Sequence, residues 1–151
     1  MPMKMSGEVT LPADRQRVWE SLNDPGILKA CIPGCQSLER TDNEGFAATA
    51  KIKIGPVSAT FKGTVTLSDL DPPNGYKISG QGEGGVAGFA KGGAVVKLTD
   101  APNGTMLAYE VEANVGGKLA QLGARLLDGV AKKMADQFFS NFAEIVSGKA
   151  T

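Results

Sequence analysis

From about Cys35 to Val115 the chain alternates with a period of two, and turn residues interrupt the alternation at hairpin spacing. A residue pair repeats its facing only in extended backbone, so this stretch predicts consecutive antiparallel strands. In Glu44–Ile54, Phe46, Ala48, Ala50, Ile52 and Ile54 share one face, opposite Ala47, Thr49, Lys51 and Lys53. Gly55-Pro56 is a two-residue connection, with glycine where a positive φ is needed and proline where no ladder N–H is lost. Val57–Leu67 resumes with Val57, Ala59, Phe61, Gly63, Val65 and Leu67 on the inner face. Pro72-Pro73-Asn74-Gly75 and Ala101-Pro102-Asn103-Gly104 mark two further turns, bounded by strands at about Tyr76–Gly84, Ala90–Leu98 and Thr105–Ala113.

Met3–Leu11 alternates too, with Met3, Met5, Gly7 and Val9 on one face. Pro12 then suits the first turn of a helix carrying Val18, Trp19 and Leu22 at helical spacing. Asp24 is a cap for a second short helix with Ile27 and Leu28, which must stop before Pro33-Gly34. The chain closes with one long helix over Lys118–Val146. Its apolar stripe is Leu119, Leu122, Leu126, Val130, Met134, Phe138, Phe142 and Ile145. The expected architecture is α+β, a curved antiparallel sheet of about seven strands around a long C-terminal helix, with two short helices after the first strand. No linker or repeat divides the 151 residues, so one domain, 1–151, is expected.

Composition narrows the chemistry. There is no histidine, which excludes Ser-His-Asp and Cys-His nucleophile systems and any histidine-containing metal site. Sixteen Lys and Arg balance sixteen Asp and Glu, so no global field attracts nucleic acid. The start lacks the apolar run of a secretory signal, and no stretch approaches the ~18 unbroken apolar residues of a membrane span, so a cytoplasmic protein is expected. The acids that fall in strands (Glu8, Glu83, Glu110 and Glu112) sit on the outward parity. The inner face therefore has no group to tune for acid–base catalysis, and an enzyme is not expected.

The inner face is short of bulk. Beside its large residues stand Ala48, Ala50, Ala59, Gly63, Gly80, Gly82, Gly84, Ala90, Gly92 and Ala94. Interiors are normally filled to crystal-like density. Either the helix docks very close, helped by Gly123, Ala124 and Ala131, or the space is an apolar cavity. A cavity would be lined from the sheet by Phe46, Ala48, Ala50, Ile52, Ala59, Phe61, Val65, Gly80, Gly82, Leu107, Tyr109 and Val111. The helix would add Leu126, Val130, Met134 and Phe138. The Tyr109 hydroxyl could orient a polar head group or simply satisfy a core contact, and the phenylalanines could grip a ring or pack as core. Trp19 is expected to pin the first helix to the sheet. Lys51, Lys53 and Lys62 form a solvated outer cluster or dock an acidic partner. Gly80–Gly93 holds seven glycines in 14 positions but lacks phosphate-loop spacing, so thin strands with a sharp connection are expected there.

The two cysteines sit in Cys31-Ile-Pro-Gly-Cys35. Proline and glycine between them argue against a redox pair. Two thiols without histidine make at most half a zinc site, and a reducing cytosol disfavours a disulfide. The segment is expected to be a tight turn around Pro33-Gly34, flanked by two small apolar residues.

Several segments in order resemble the CoxG family of carbon monoxide dehydrogenase accessory proteins, which are START-like (SRPBCC) helix-grip domains. They are Met5-Ser-Gly, Val18-Trp19 with Leu22-Asn-Asp-Pro, Cys31-Ile-Pro-Gly-Cys35, Lys51-Ile-Lys-Ile-Gly-Pro-Val57 leading to Phe61-Lys-Gly63, and the Gly80–Gly93 strand pair. The resemblance implies a small accessory protein of a carbon monoxide dehydrogenase-type molybdenum hydroxylase; no cofactor of its own is expected. It implies a hydrophobic ligand, lipid- or quinone-like, held in the cavity, and peripheral association with the inner face of the membrane. A monomer or homodimer is expected. Members acting at the membrane can carry a further C-terminal tail, whereas this sequence ends at Thr151, so a direct anchor is not expected of it. In such folds the region of Cys31–Cys35 borders the cavity entrance. Polyketide cyclases share the fold, which makes a cyclase-like enzyme one alternative and a ligand-free docking factor the other.

Overall fold

A computed structural model describes residues 2–41 and 45–147. Ten-residue β1 (Pro2–Leu11) leads into α1 (Arg15–Leu22) and α2 (Pro25–Cys31). The strands β2 (Cys35–Thr41), β3 (Gly45–Ile54), β4 (Val57–Asp71), β5 (Gly75–Glu83), β6 (Phe89–Ala101) and β7 (Gly104–Gly116) follow. Glu44, expected to open β3, lies outside the described residues. The strands form one antiparallel sheet in the order β1-β7-β6-β5-β4-β3-β2, so the meander is closed at one side by the N-terminal strand. The alternation holds through it: Ile54 pairs with Val57 across Gly55-Pro56, and Gly55 has φ +58°.

The short helices start where side chains satisfy free N–H groups. Asp14 accepts from the Arg17 N–H at 2.8 Å, which puts Pro12 before the cap rather than inside the helix. Asp24 accepts from the N–H groups of Gly26 and Ile27 at 2.8 and 3.3 Å, with Pro25 in the first turn. Trp19 meets Tyr76 of β5 edge-on at 5.3 Å and pins α1 to the sheet. Burial pushes the Tyr76 hydroxyl up to about 12.

The expected turn is present at Cys31–Cys35. The Cys35 N–H donates to the Ile32 carbonyl at 3.2 Å across Pro33-Gly34, and Gly34 has φ +78°. A β-carbon on Gly34 would collide with the Lys51 carbonyl oxygen, so glycine is required twice over. Both thiols are free. Cys31 is fully buried, with its thiol pushed up to about 11 by burial, and the Cys35 thiol donates to the Ser37 carbonyl at 3.3 Å.

The C-terminal helix departs from expectation. Instead of one helix from Lys118, a one-turn α3 (Lys118–Gln121) is followed by a break and then α4 (Ala124–Val146). Gly123 has φ +92°, outside helical backbone, and this resets the helical phase. Leu127 takes the buried position and Leu126, expected inward, is 39% exposed. At its far end α4 is tied to the rest of the fold. The Arg17 guanidinium donates to the carbonyls of Val146 and Ile145 at 2.8 and 3.2 Å, and Asn141 donates to the Cys31 carbonyl at 3.2 Å.

The buried core is in two pieces. One packs Leu11, Val18, Trp19, Leu22, Leu107 and Phe142 where α1, α2 and the end of α4 meet the sheet. The other, smaller, joins Ile54, Val115, Leu119 and Leu127 beneath α3.

Candidate functional site

What lies between the two core clusters follows from strand register. One cross-strand row on the inner face runs Ala113, Gly92, Gly80, Val65 and Phe46. The neighbouring row runs Val115, Ala90, Gly82, Gly63 and Ala48. Pairing therefore sets the small residues side by side across five strands and makes a shallow floor in the middle of the sheet. At Gly82 no atom of the helix comes within 4 Å of the β-carbon position. A β-carbon built on Gly82 meets only the Lys62 carbonyl oxygen at 3.8 Å and the Gly63 Cα at 4.0 Å, both from the adjacent strand. The close backbone approaches of α4 are to α2, β1 and α1.

The sixteen residues expected to line a cavity divide into groups. Tyr109 and Val111 border a crevice of about 580 Å³ between β1 and α4. Ala48, Ala50, Ala59, Gly80, Gly82 and Met134 lie partly accessible in the central region, in neither core cluster. Val65 and Phe138 rest against the first cluster, while Ile52, Phe61 and Val130 rest against the second. Phe46 and Leu107 are fully packed core residues, 5% and 1% exposed, and are not brought to the crevice. Leu126 faces outward for the phase reason given above.

Sequence periodicity misses most of the crevice. Its apolar wall includes Met3, Met5, Ala113 and Ala131, and its rim includes Glu8, Asp128, Lys132 and Asp136. The signals are legible in part. Met3 and Met5 share the inner parity of β1, and Asp128, Lys132 and Asp136 recur every four residues along one face of α4. Glu8 is outward by parity yet borders the opening because β1 is the edge of the sheet. None of residues 31–35 lines this crevice, so the Cys31–Cys35 turn does not frame it.

Tyr109 is the best-positioned polar group. Its ring stacks on Phe139 at 5.4 Å between centroids and 24° between planes, and Phe139 is braced edge-on by Phe138 at 5.1 Å. The ring also lies over Gly7, where a β-carbon would stand 2.6 Å from the phenolic oxygen. Among the described residues the Tyr109 hydroxyl makes no hydrogen bond within the protein. A ring held on two sides with an unpartnered hydroxyl at an apolar crevice can hydrogen-bond a guest.

Lys51, Lys53 and Lys62 are exposed on the outer face, where Lys62 stands directly across from Glu83. Among the described residues no cluster of acids and thiols could hold a metal ion, and no helix is long and apolar enough to cross a membrane.

The architecture is that of helix-grip proteins. A conserved protein from Geobacillus kaustophilus superimposes with a TM-score of 0.89 at 33% identity, covering 97% of this chain and 96% of that one. The Zhui aromatase/cyclase from a Streptomyces species matches with a TM-score of 0.69 at 13% identity, over 100% and 97% of the two chains. Ara h 8.0201 matches at 0.67 and 18% identity, over 97% and 98%. At such low identity the last two speak for the fold alone. No curated protein is similar enough to match. The family model of CoxG, a carbon monoxide dehydrogenase subunit, matches residues 7–147, from the glycine beneath Tyr109 to the end of α4. The chain thus belongs to the carbon monoxide dehydrogenase CoxG family.

Proposed function

We propose that this protein holds a hydrophobic, lipid- or quinone-like ligand between its sheet and α4. In this reading it performs no chemistry of its own and serves a carbon monoxide dehydrogenase-type molybdenum hydroxylase, by presenting an electron acceptor or by helping recruit the enzyme to the membrane. The observation that carries the reading is a buried core in two pieces with small residues between them, where Gly82 has no helix atom within 4 Å of its β-carbon position. Burying an apolar guest there gains about 25 cal/mol per Å². The free Tyr109 hydroxyl supports a guest with one polar end, as a quinone carbonyl has. Family membership supports the hydroxylase as the partner.

The test is to extract the purified protein with organic solvent, identify apolar molecules by mass spectrometry, and titrate the stripped protein with a short-chain quinone. Saturable one-to-one binding supports the reading. No co-purifying molecule and no titratable binding would remove it and leave a docking factor.

A further inference from the structure

The mouth of the crevice carries a charge pattern that limits what can enter. Glu8 on β1 and Asp128 and Asp136 on α4 have no ion-pair partner among the described residues. Of the two lysines at the same opening, Lys4 is engaged by Glu112 at 3.6 Å. Lys132 alone is left, between the two aspartates on the helix. Three free carboxylates therefore face one free ammonium. Deeper in, the wall is Met3, Met5, Val111, Ala113 and Ala131, with nothing to pair an ion. Two uncharged hydroxyls line the crevice, Ser6 on the exposed parity of β1 with the rim and Tyr109 on the inner parity; the Tyr109 hydroxyl can donate to a neutral oxygen.

We infer that this mouth selects amphiphiles with an uncharged, hydrogen-bond-accepting head, and that Glu8, Asp128 and Asp136 repel anionic heads such as fatty carboxylates. The inference rests on the carrier reading and specifies the ligand class for it. An anion meets like charge at the entrance and loses its hydration against an unpaired apolar wall. A cation gains at the rim but suffers the same desolvation inside. A neutral carbonyl bears neither cost and gains the Tyr109 hydrogen bond. Because the rim is solvated, its repulsion is screened by salt over about 10 Å at 0.1 M.

Nile red displacement from the stripped protein tests this with myristate, methyl myristate and tetradecylamine, which share a chain length and differ in head charge. At low salt the ester should displace the dye at a concentration at least about tenfold below that of myristate, and also below that of the amine. The ester–myristate gap should shrink several-fold in the Asp128→Asn/Asp136→Asn variant, and again in high salt with the wild-type protein. Equal displacement by ester and myristate would overturn the inference while leaving the carrier reading standing, as would a gap unchanged by the variant or tighter binding of the amine. If Nile red and all three chains fail to bind, both fall together.

Discussion

Gly82→Leu separates an open interior from a packed one. Gly82 sits on the inner parity of β5, paired with Gly63 and Ala90, and its φ lies outside the left-handed range where a side chain would be strained. Its β-carbon would meet two backbone atoms at 3.8 and 4.0 Å, ordinary van der Waals contacts. Replacing a strand glycine by a residue the backbone tolerates gains about 0.5–1 kcal/mol through the unfolded chain. Part of the ~1.5–3 kcal/mol available from burying a leucine side chain should add to that. The expected result is unchanged or higher stability, with thermal midpoint shifts of about 2–4 °C per kcal/mol for a chain of this size. The introduced side chain would occupy the ligand's space, so quinone affinity should fall at least tenfold, about 1.4 kcal/mol. Gly92→Leu is the counterpart. A β-carbon there collides with the Glu112 carbonyl oxygen and stands 2.7 Å from the Ala113 Cα, so a loss of about 1–3 kcal/mol is expected. Thermal denaturation and ligand titration of both variants give the answer. A loss of about 1–3 kcal/mol in Gly82→Leu, the size typical of overpacked cores, with affinity unchanged, would refute the reasoning and put the helix against the sheet.

Other consequences can be measured on the same protein. Tyr109→Phe keeps the stack on Phe139 and should leave the thermal midpoint within a degree or so, while weakening a carbonyl ligand by about 0.5–1.5 kcal/mol, read by titration. Leu127→Ala should cost about 2–4 kcal/mol and Leu126→Ala under about 1 in chemical denaturation; the reverse order would contradict the helix phase. Arg17→Met removes the donors to the last carbonyls of α4 and should lower stability by about 1 kcal/mol, seen as a thermal shift. The folded state holds the Cys31 thiol protonated, its value raised from an ordinary 9.0 to about 11. The stability this contributes is whole below pH 9.0 and is lost as pH rises toward about 11, and Cys31→Ala should flatten that decline in denaturation midpoints measured across the window. In thiol labelling at neutral pH, Cys35 should react before the buried Cys31.

Local sequence is a good guide wherever one face of an element meets water and the other does not. The alternation of Phe46 through Ile54 and of Val57 through Leu67, the Gly55-Pro56 connection, the Asp24 cap and the Pro33-Gly34 turn are each decided within a few residues, by side-chain parity or by a φ value that glycine permits. The family signature is of the same kind, an ordered set of short segments. The long helix is misread from sequence because Gly123 is tolerated inside a helical pattern on local grounds. Whether the chain breaks there depends on how α3 and the second core cluster seat against the sheet, and a shift of one residue exchanges Leu126 for Leu127.

The strands, their facing, the turns, the absence of histidine chemistry and an inner face short of bulk are thus all written in the order of the residues. What that shortage means depends on packing. Parity says that Gly80, Gly82, Gly92 and Ala113 face inward, but register, a long-range property, puts them side by side. The height of α4 above them depends on anchors distant in sequence, such as Arg17 to Val146 and Asn141 to Cys31. The crevice at β1 joins residues from both ends of the chain, Met3 and Asp136 among them, and no local pattern announces such a meeting. A pattern along the chain reports which way a side chain points, while the distance to what it faces is set by the packing of every other element.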